Sequence, residues 1–391
     1  MRADRDQAPI LQASSSRTGQ AMRQESTARE GILPSQSLAE LIRSGHISAA
    51  ESMSDGQIQP ASIDLRLGSR AYRVRASFLP GKDQTVGQRV DSLTMHEFDI
   101  TDGAVLERGC VYIVPLMEGL NLPPSCSAIG NPKSSTGRLD VFTRLLTDHG
   151  AEFDHVRPGY EGPLYAEISP RTFSILVRKG SRLSQLRIRR GEPRRSDEHH
   201  LLLQREHRIV DTQLDAGDIK NGVPITVDVE GDADTRLIGY RAKLHAGLID
   251  VDKKDYYQID DFWEPVFRQN GSGLILDPGE FYILASREAV RVPKGYAAQM
   301  IAYDTLVGEF RVHYAGFFDP GFGDPEAGGQ GSRAVLEVRS FEVPFVVEPG
   351  QVVGRLVYEA LTEVPDKLYG QALRSNYQKQ GLKLSKHFRV H

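Results

Sequence analysis

A chain of 391 residues, 26% charged and 39% hydrophobic, has room for two domains and enough apolar content to fold. Its net charge of −4 argues against nucleic-acid binding through bulk electrostatics. Only two cysteines occur, Cys110 and Cys126, and neither sits in a CxxC pair, so a disulfide framework is not expected and a reducing cytoplasm is favoured.

The first segment, residues 1–30, is polar and rich in Ser, Arg and Gln, with no apolar stretch. It could pass for a transit-like extension, but its composition favours a disordered tail. A helix is predicted at "SQSLAELIRSG", with Ser37 as cap, Glu40 completing a capping box, and Leu38, Leu41 and Ile42 at helical spacing. Short alternating runs broken by Gly, Pro and Asp follow: "SIDLRLGSRAYRVR", "CVYIVPL", "FSILVRKG", "GEFYILAS", "RAVLEVRS" and "GQVVGRLVYEAL". Such spacing predicts a mainly β fold, sandwich or barrel. No apolar run reaches the ~18 residues a membrane helix needs, so no membrane partner is expected.

An internal repeat organises these strands. An offset of 170 carries Asp64, Arg66 and Leu67 onto Asp234, Arg236 and Leu237, and Leu106, Gly109, Tyr112 and Ile113 onto Leu276, Gly279, Tyr282 and Ile283. It also pairs Glu167 with Glu337 and Gly180 with Gly350. Two tandem β domains follow, over 31–205 and 206–391, joined in the charged segment "RRGEPRRSDEHHLLLQREH", read as a solvated linker or helix face.

Several chemistries have no support: there is no P-loop, no Rossmann turn, no HExxH, no PCxxC of a zinc deaminase and no G-x-S-x-G elbow. Zinc is therefore not expected. In "NPKSSTGRLD", Lys133 and Arg138 supply charge, Ser134 and Ser135 supply hydroxyls, and Gly137 permits close backbone approach. This pattern suits a phosphate chain, and equally a polar turn whose hydroxyls bond their own backbone. A Pro-Gly turn precedes a strand bearing an isolated glutamate twice, at Glu167 and at Glu337. A carboxylate on a half-buried strand would have a raised pKa suited to acid–base work. The alternative is a solvent-facing glutamate paired, for Glu337, with Arg333 or Arg339. The C-terminal "YGQALRSNYQKQGLKLSKHF" reads as a segment able to close over a site, or as a frayed terminus.

Together these elements resemble the dCTP deaminase family of the dUTPase-like superfamily, in its longer, duplicated form. "QPASIDLRLG" resembles the family's opening strand, "PKSSTGRL" its phosphate motif, "HYAGFFDPGFG" with "AVLE" its hairpin and catalytic glutamate, and "YGQALRSNYQKQG" its closing segment. The resemblance implies two dUTPase-like domains of β-clip, distorted jelly-roll type with few short helices. It further implies hydrolytic deamination of dCTP to dUTP and ammonia, without zinc and with Mg2+ carried by the substrate triphosphate. Lys133, Ser134, Ser135, Thr136, Gly137 and Arg138 would hold the triphosphate, with Arg138 and Ser134 also near the reacting base. Asp319 would meet the sugar 3′-hydroxyl, Glu337 would be the general base with Glu167 as second-copy candidate, and Val335, Leu336, Tyr369, Tyr377 and Gln380 would contact or enclose the nucleotide.

The departures imply a division of labour. The counterpart of the phosphate motif, "YDTLVG" at 303–308, has lost its cations and gained Asp304, and Arg157 stands in the first half where the sugar aspartate is expected. A composite site follows, with the phosphate motif from the first half and the hairpin, glutamate and tail from the second. Asn376 replaces the family's tail lysine. Expected partners are dCTP and dUTP, dTTP as candidate inhibitor, and further copies of the chain in a homo-oligomer built on pseudo-threefold trimers. Two alternatives stand: a dUTPase or bifunctional enzyme releasing dUMP and pyrophosphate, and a non-catalytic nucleotide-binding regulator.

Overall fold

The computed structural model describes residues 29–54, 56–231, 234–268, 273–302, 311–313, 316–340, 342–370 and 381–389, with only the backbone of 302 and 311–313. The N-terminal tail expected over 1–30 lies almost wholly outside the described residues, as do Asp304, Asn376, Tyr377 and Gln380.

Strands dominate, as the alternating runs predict. In the first half, strands Arg70–Val74, Val111–Asn121, Glu161–Pro170 and Val141–Thr147 form the centre of one antiparallel sheet, and Cys126–Pro132 pairs with Ser184–Arg190 in another. In the second half, Leu237–Ala242, Phe281–Val290 and Ser332–Arg339 build the counterpart of the first, and Tyr296–Ala302 pairs with Val352–Ala360. Pairing repeats at the offset read in the sequence. Glu167 stands opposite Ile113, and Glu337 opposite Ile283. The Tyr112 hydroxyl accepts from the Glu107 amide at 3.0 Å, and the Tyr282 hydroxyl from the Asp277 amide at 3.1 Å. Gly109 N–H donates to Pro170 and Gly279 N–H to Ser340, both at 2.8 Å, with both glycines at positive φ.

The first helix spans Ser35–Arg43 and buries Leu38 and Leu41, but the expected capping box is not there. Extended Pro34 occupies the N-cap, three residues early, so Ser37 already lies within the helix. The Ser37 hydroxyl instead donates to Glu363 at 2.8 Å, and Glu40 pairs with Arg43. In the joining segment, Ser196 caps a helix over Asp197–His207, accepting from the His199 amide.

The two halves share buried surface. One apolar core mixes first-half residues such as Leu145, Ile168 and Phe173 with Trp263, Ile283, Val335 and Phe388 from the second. A second core, around Leu284, Leu336, Val338 and Tyr358, belongs to the second half. Strand Ile175–Val177 also pairs in parallel with Ile249–Asp250 across the join. This shared packing holds the face carrying Glu337 against the first half.

Candidate active site

Residues 133–138 leave the strand Cys126–Pro132 and wind into a single turn, Ser134–Gly137. The Lys133 amide donates to the Leu183 carbonyl at 2.9 Å, and the Arg138 amide to that of Ser134 at 3.0 Å, so both ends of the turn are fixed. Gly137 sits inside this turn, donating to Lys133. Ser135, Thr136 and Arg138 are buried and Ser134 is half-buried. The Lys133 ammonium pairs with Asp64, whose strand lies beside Ser184–Arg190, the same strand that flanks Lys133.

Glu337 reaches this motif from the other half. On strand Ser332–Arg339, side chains alternate between faces. Ala334, Leu336 and Val338 enter the second-half core, whereas Val335 joins the shared core, and Glu337 lies on the same face as Val335. Leu336, expected to contact the nucleotide, therefore lies on the face opposite Glu337, in the second-half core. Glu337 is buried, with Oε1 3.9 Å from Arg138 Nε. Burial pushes its carboxyl up to about 8, against the opposing pull of the Arg138 guanidinium. The solvent-facing alternative fails because its proposed partners are engaged elsewhere. Arg333 pairs with Asp228, and Arg339 with Asp140 across the join.

Glu167, at the equivalent register, has a different environment. Its Oε1 accepts from Arg144 Nη2 at 2.5 Å and Nε at 3.1 Å, and the Arg144 guanidinium stacks on Phe153 at 3.6 Å. That carboxylate is neutralised in a buried ion pair.

Asp319 starts the Pro-Gly turn, with Gly321 at φ +92°. Its Oδ1 lies 3.4 Å from Nη2 of Arg187, a fully buried arginine whose Nη1 donates to the Ala298 carbonyl and whose guanidinium stacks on Phe317 at 4.0 Å. Burial raises the Asp319 pKa, and the Arg187 guanidinium opposes this. Tyr369 donates its amide to the Pro320 carbonyl at 2.9 Å and packs on Phe322, which ties the start of the tail to the turn. Arg157, at the first half's turn, instead stacks on Tyr160.

Of the expected residues, Arg138 in the 133–138 turn and Glu337 beside Val335 are brought together, Asp319 and Tyr369 meet at the second-half Pro-Gly turn, and Glu167 pairs with Arg144 instead. Asp64 and Arg187 meet these residues but were not foreseen as site residues, whereas residues 381–388 belong to the tail expected to close over a site. Asp64 had a signal, since it heads the repeated "DLRL"; Arg187 had none, because its placement follows from packing between the halves. Among the described residues, no group of three or more His, Cys, Asp or Glu side chains is placed to hold a metal ion, and no helix is long and apolar enough to cross a membrane.

Residues 29–192 match the family model of the 2'-deoxycytidine 5'-triphosphate deaminase N-terminal domain, and residues 196–388 that of its C-terminal domain. The crystal structure of 2'-deoxycytidine 5'-triphosphate deaminase from Agrobacterium tumefaciens is 55% identical, with a TM-score of 0.81, covering 85% of this chain and 99% of that one. A "dCTP deaminase, dUMP-forming" of Halobacterium salinarum is 32% identical over 32% of this chain and 60% of its own length. A "dCTP deaminase" of Halorubrum lacusprofundi is 31% identical over 34% of this chain and 63% of its own. This chain thus spans about three fifths of the length of the first curated relatives it matches.

Proposed function

Since the chain belongs to the 2'-deoxycytidine 5'-triphosphate deaminase family, we propose that it deaminates Mg2+–dCTP to dUTP and ammonia at one composite site. We read the two halves as a tandem duplication in which each has kept a different part of that site. The observation that carries this reading is the approach of Arg138 Nε to 3.9 Å from the buried Glu337 carboxyl, set against Glu167, which accepts two hydrogen bonds from Arg144.

In this scheme Lys133, Arg138 and the Ser134–Ser135 hydroxyls take the triphosphate oxygens. Their donor set suits phosphate rather than a metal, so Mg2+ enters as part of the substrate. Asp319, held by Arg187, accepts from the 3′-hydroxyl. Glu337 takes a proton from a water aimed at C4 of cytosine and gives it to N3 as the C4–O bond forms. It then moves the new C4 hydroxyl proton to the amine, the C4–N bond breaks, and ammonia leaves. Arg138 stabilises charge that develops on the tetrahedral intermediate, an effect worth about 10²–10³ in rate for one such donor. No zinc takes part, so orientation and desolvation of the water carry more of the barrier. The enzyme is read as a cytoplasmic homo-oligomer built on pseudo-threefold trimers, with dTTP as candidate inhibitor; a solution mass measurement tests the first.

The test is product analysis with dCTP and Mg2+. Accumulating dUTP supports the proposal, and turnover of dUTP without dCTP refutes it. A second reading, a bifunctional enzyme releasing dUMP and pyrophosphate, is favoured by the "dUMP-forming" names of several relatives and would show as dUMP from dCTP.

A further inference from the structure

Within the chain, the second half covers the edge of strand Ile175–Val177. The Ile249 amide donates to the Ser174 carbonyl at 3.1 Å, and the Val251 amide to the Leu176 carbonyl at 3.2 Å. Arg178 donates to both carboxylate oxygens of Asp250, at 2.8 and 2.9 Å. The Phe173 ring packs 5.5 Å from that of Trp263, which is fully buried. An added strand, an ion pair and an apolar contact thus fasten one half to the other.

Each of these parts has a repeat counterpart. On the strand side the offset is 170, since Ile175 stands opposite Leu106 and Phe345 opposite Leu276. Phe173, Leu176 and Arg178 therefore map to Val343, Val346 and Glu348. On the facing side the offset is 168, since Arg73 stands opposite His96 and Arg241 opposite Glu264. Asp250 therefore maps to Lys82, and Trp263, just before Glu264, to Met95, just before His96. The ion pair recurs with its signs exchanged, and the apolar contact recurs as valine and methionine. These counterparts face solvent in the single chain. Val343 is 51%, Val346 44% and Met95 61% exposed. Glu348 and Lys82 are also exposed, and neither makes an ion pair among the described residues.

An open strand edge with apolar side chains is a template for another chain. The complement of this edge, in charge and in apolar surface, lies on the first half of the same sequence. We infer that the outer edge of strand Phe345–Val347 docks the first half of a second copy of this chain, with Glu348 against its Lys82 and Val343 against its Met95. The contact joins unlike surfaces, so it is heterologous. Of the amides that would serve the edge, Gly81 already donates to the Gly150 carbonyl at 3.0 Å, which leaves Asp83 for the Val346 carbonyl. Charge and apolar cover therefore carry more of this contact than of the join within the chain. The inference rests on the tandem-duplication reading and not on the activity.

The test is sedimentation velocity of full-length wild type at up to about 100 μM, beside Glu348→Lys, Lys82→Glu, the double reversal and Val343→Asp. Far-UV circular dichroism checks that each variant is folded. Wild type should sediment above the mass of one chain. Each single reversal and Val343→Asp should weaken assembly about tenfold or more, and the double reversal should restore it. Wild type that stays a single chain would overturn the inference. So would assembly that none of the single substitutions weakens, or weakening that the double reversal fails to relieve. An assembly that behaves as expected yet leaves dCTP intact would refute the deaminase reading alone, and a lone chain that deaminates dCTP would refute this inference alone.

Discussion

Glu337 Oε1 lies 3.9 Å from Arg138 Nε, with both side chains buried and each contributed by a different half of the chain. The separation exceeds hydrogen-bond distance, so the guanidinium attracts the carboxyl without neutralising it, and burial sets its proton affinity. Glu167 has the same register on its own sheet but accepts two hydrogen bonds from Arg144. One repeated glutamate keeps a carboxyl whose proton affinity is raised by burial, and the other is held by two hydrogen bonds from an arginine.

Glu337→Gln should therefore abolish deamination, by about 10²-fold or more, while dCTP binding persists. Glu167→Gln should leave turnover close to wild type and instead lower stability by about 1–3 kcal/mol, since it weakens a buried charged hydrogen bond. Product assays and denaturant unfolding of both variants check this. Equal loss of turnover would contradict a single type of site.

Glu337 must be ionised to accept the proton of water. With its pKa at about 8, kcat/KM should rise with pH and level off above that value. An inflection near the ordinary carboxylate value would exclude Glu337 as the base. The same shift predicts a stability effect of definite sign. Between about pH 4.5 and 8 the folded state holds a proton that the unfolded chain has released, so stability falls as pH rises through this window. Glu337→Gln removes that dependence and should raise Tm at neutral and alkaline pH, which calorimetric melts across the window would detect.

Asp319 is positioned by Arg187 at 3.4 Å, at the edge of the region that holds Lys133. Asp319→Asn should raise the KM for dCTP about tenfold or more, because a charged acceptor for the 3′-hydroxyl becomes neutral. Wild type should discriminate strongly against 2′,3′-dideoxy-CTP, and the variant should lose most of that discrimination. Competition kinetics with the two nucleotides measure it directly.

Arg339 joins the halves near the site, pairing with Asp140 and donating to Thr172 Oγ1 at 2.9 Å, while Thr172 donates to Asp140 at 2.6 Å. Arg339→Ala leaves Asp140 buried without this cation, and should cost on the order of 3 kcal/mol. Because Glu337 lies two residues earlier on the same strand, activity should fall with it. Unfolding curves and kcat/KM measured together would show a parallel decline.

The β architecture was legible because period-2 alternation and turn residues act locally. The repeat was legible because equal sequence offsets produce equal registers, as Glu167 opposite Ile113 and Glu337 opposite Ile283 demonstrate. The helix start was misplaced by three residues, since Pro34 outcompeted the Ser37 cap and Ser37 found a partner far along the chain at Glu363.

The residue types of the site were likewise written in the sequence: a motif of cations and hydroxyls, a Pro-Gly turn, and a glutamate within an apolar strand. The sequence reading favoured Glu337 as the base and kept Glu167 as a second-copy candidate. Tertiary structure separated them, because proton affinity depends on which charges and how much water lie within a few ångströms. Packing of one half against the other brings Arg138 Nε to 3.9 Å from Glu337, and it carries Lys383 and Ser385 to the 133–138 turn. No local pattern encodes either placement, since both arise from burial of a shared core that spans the join.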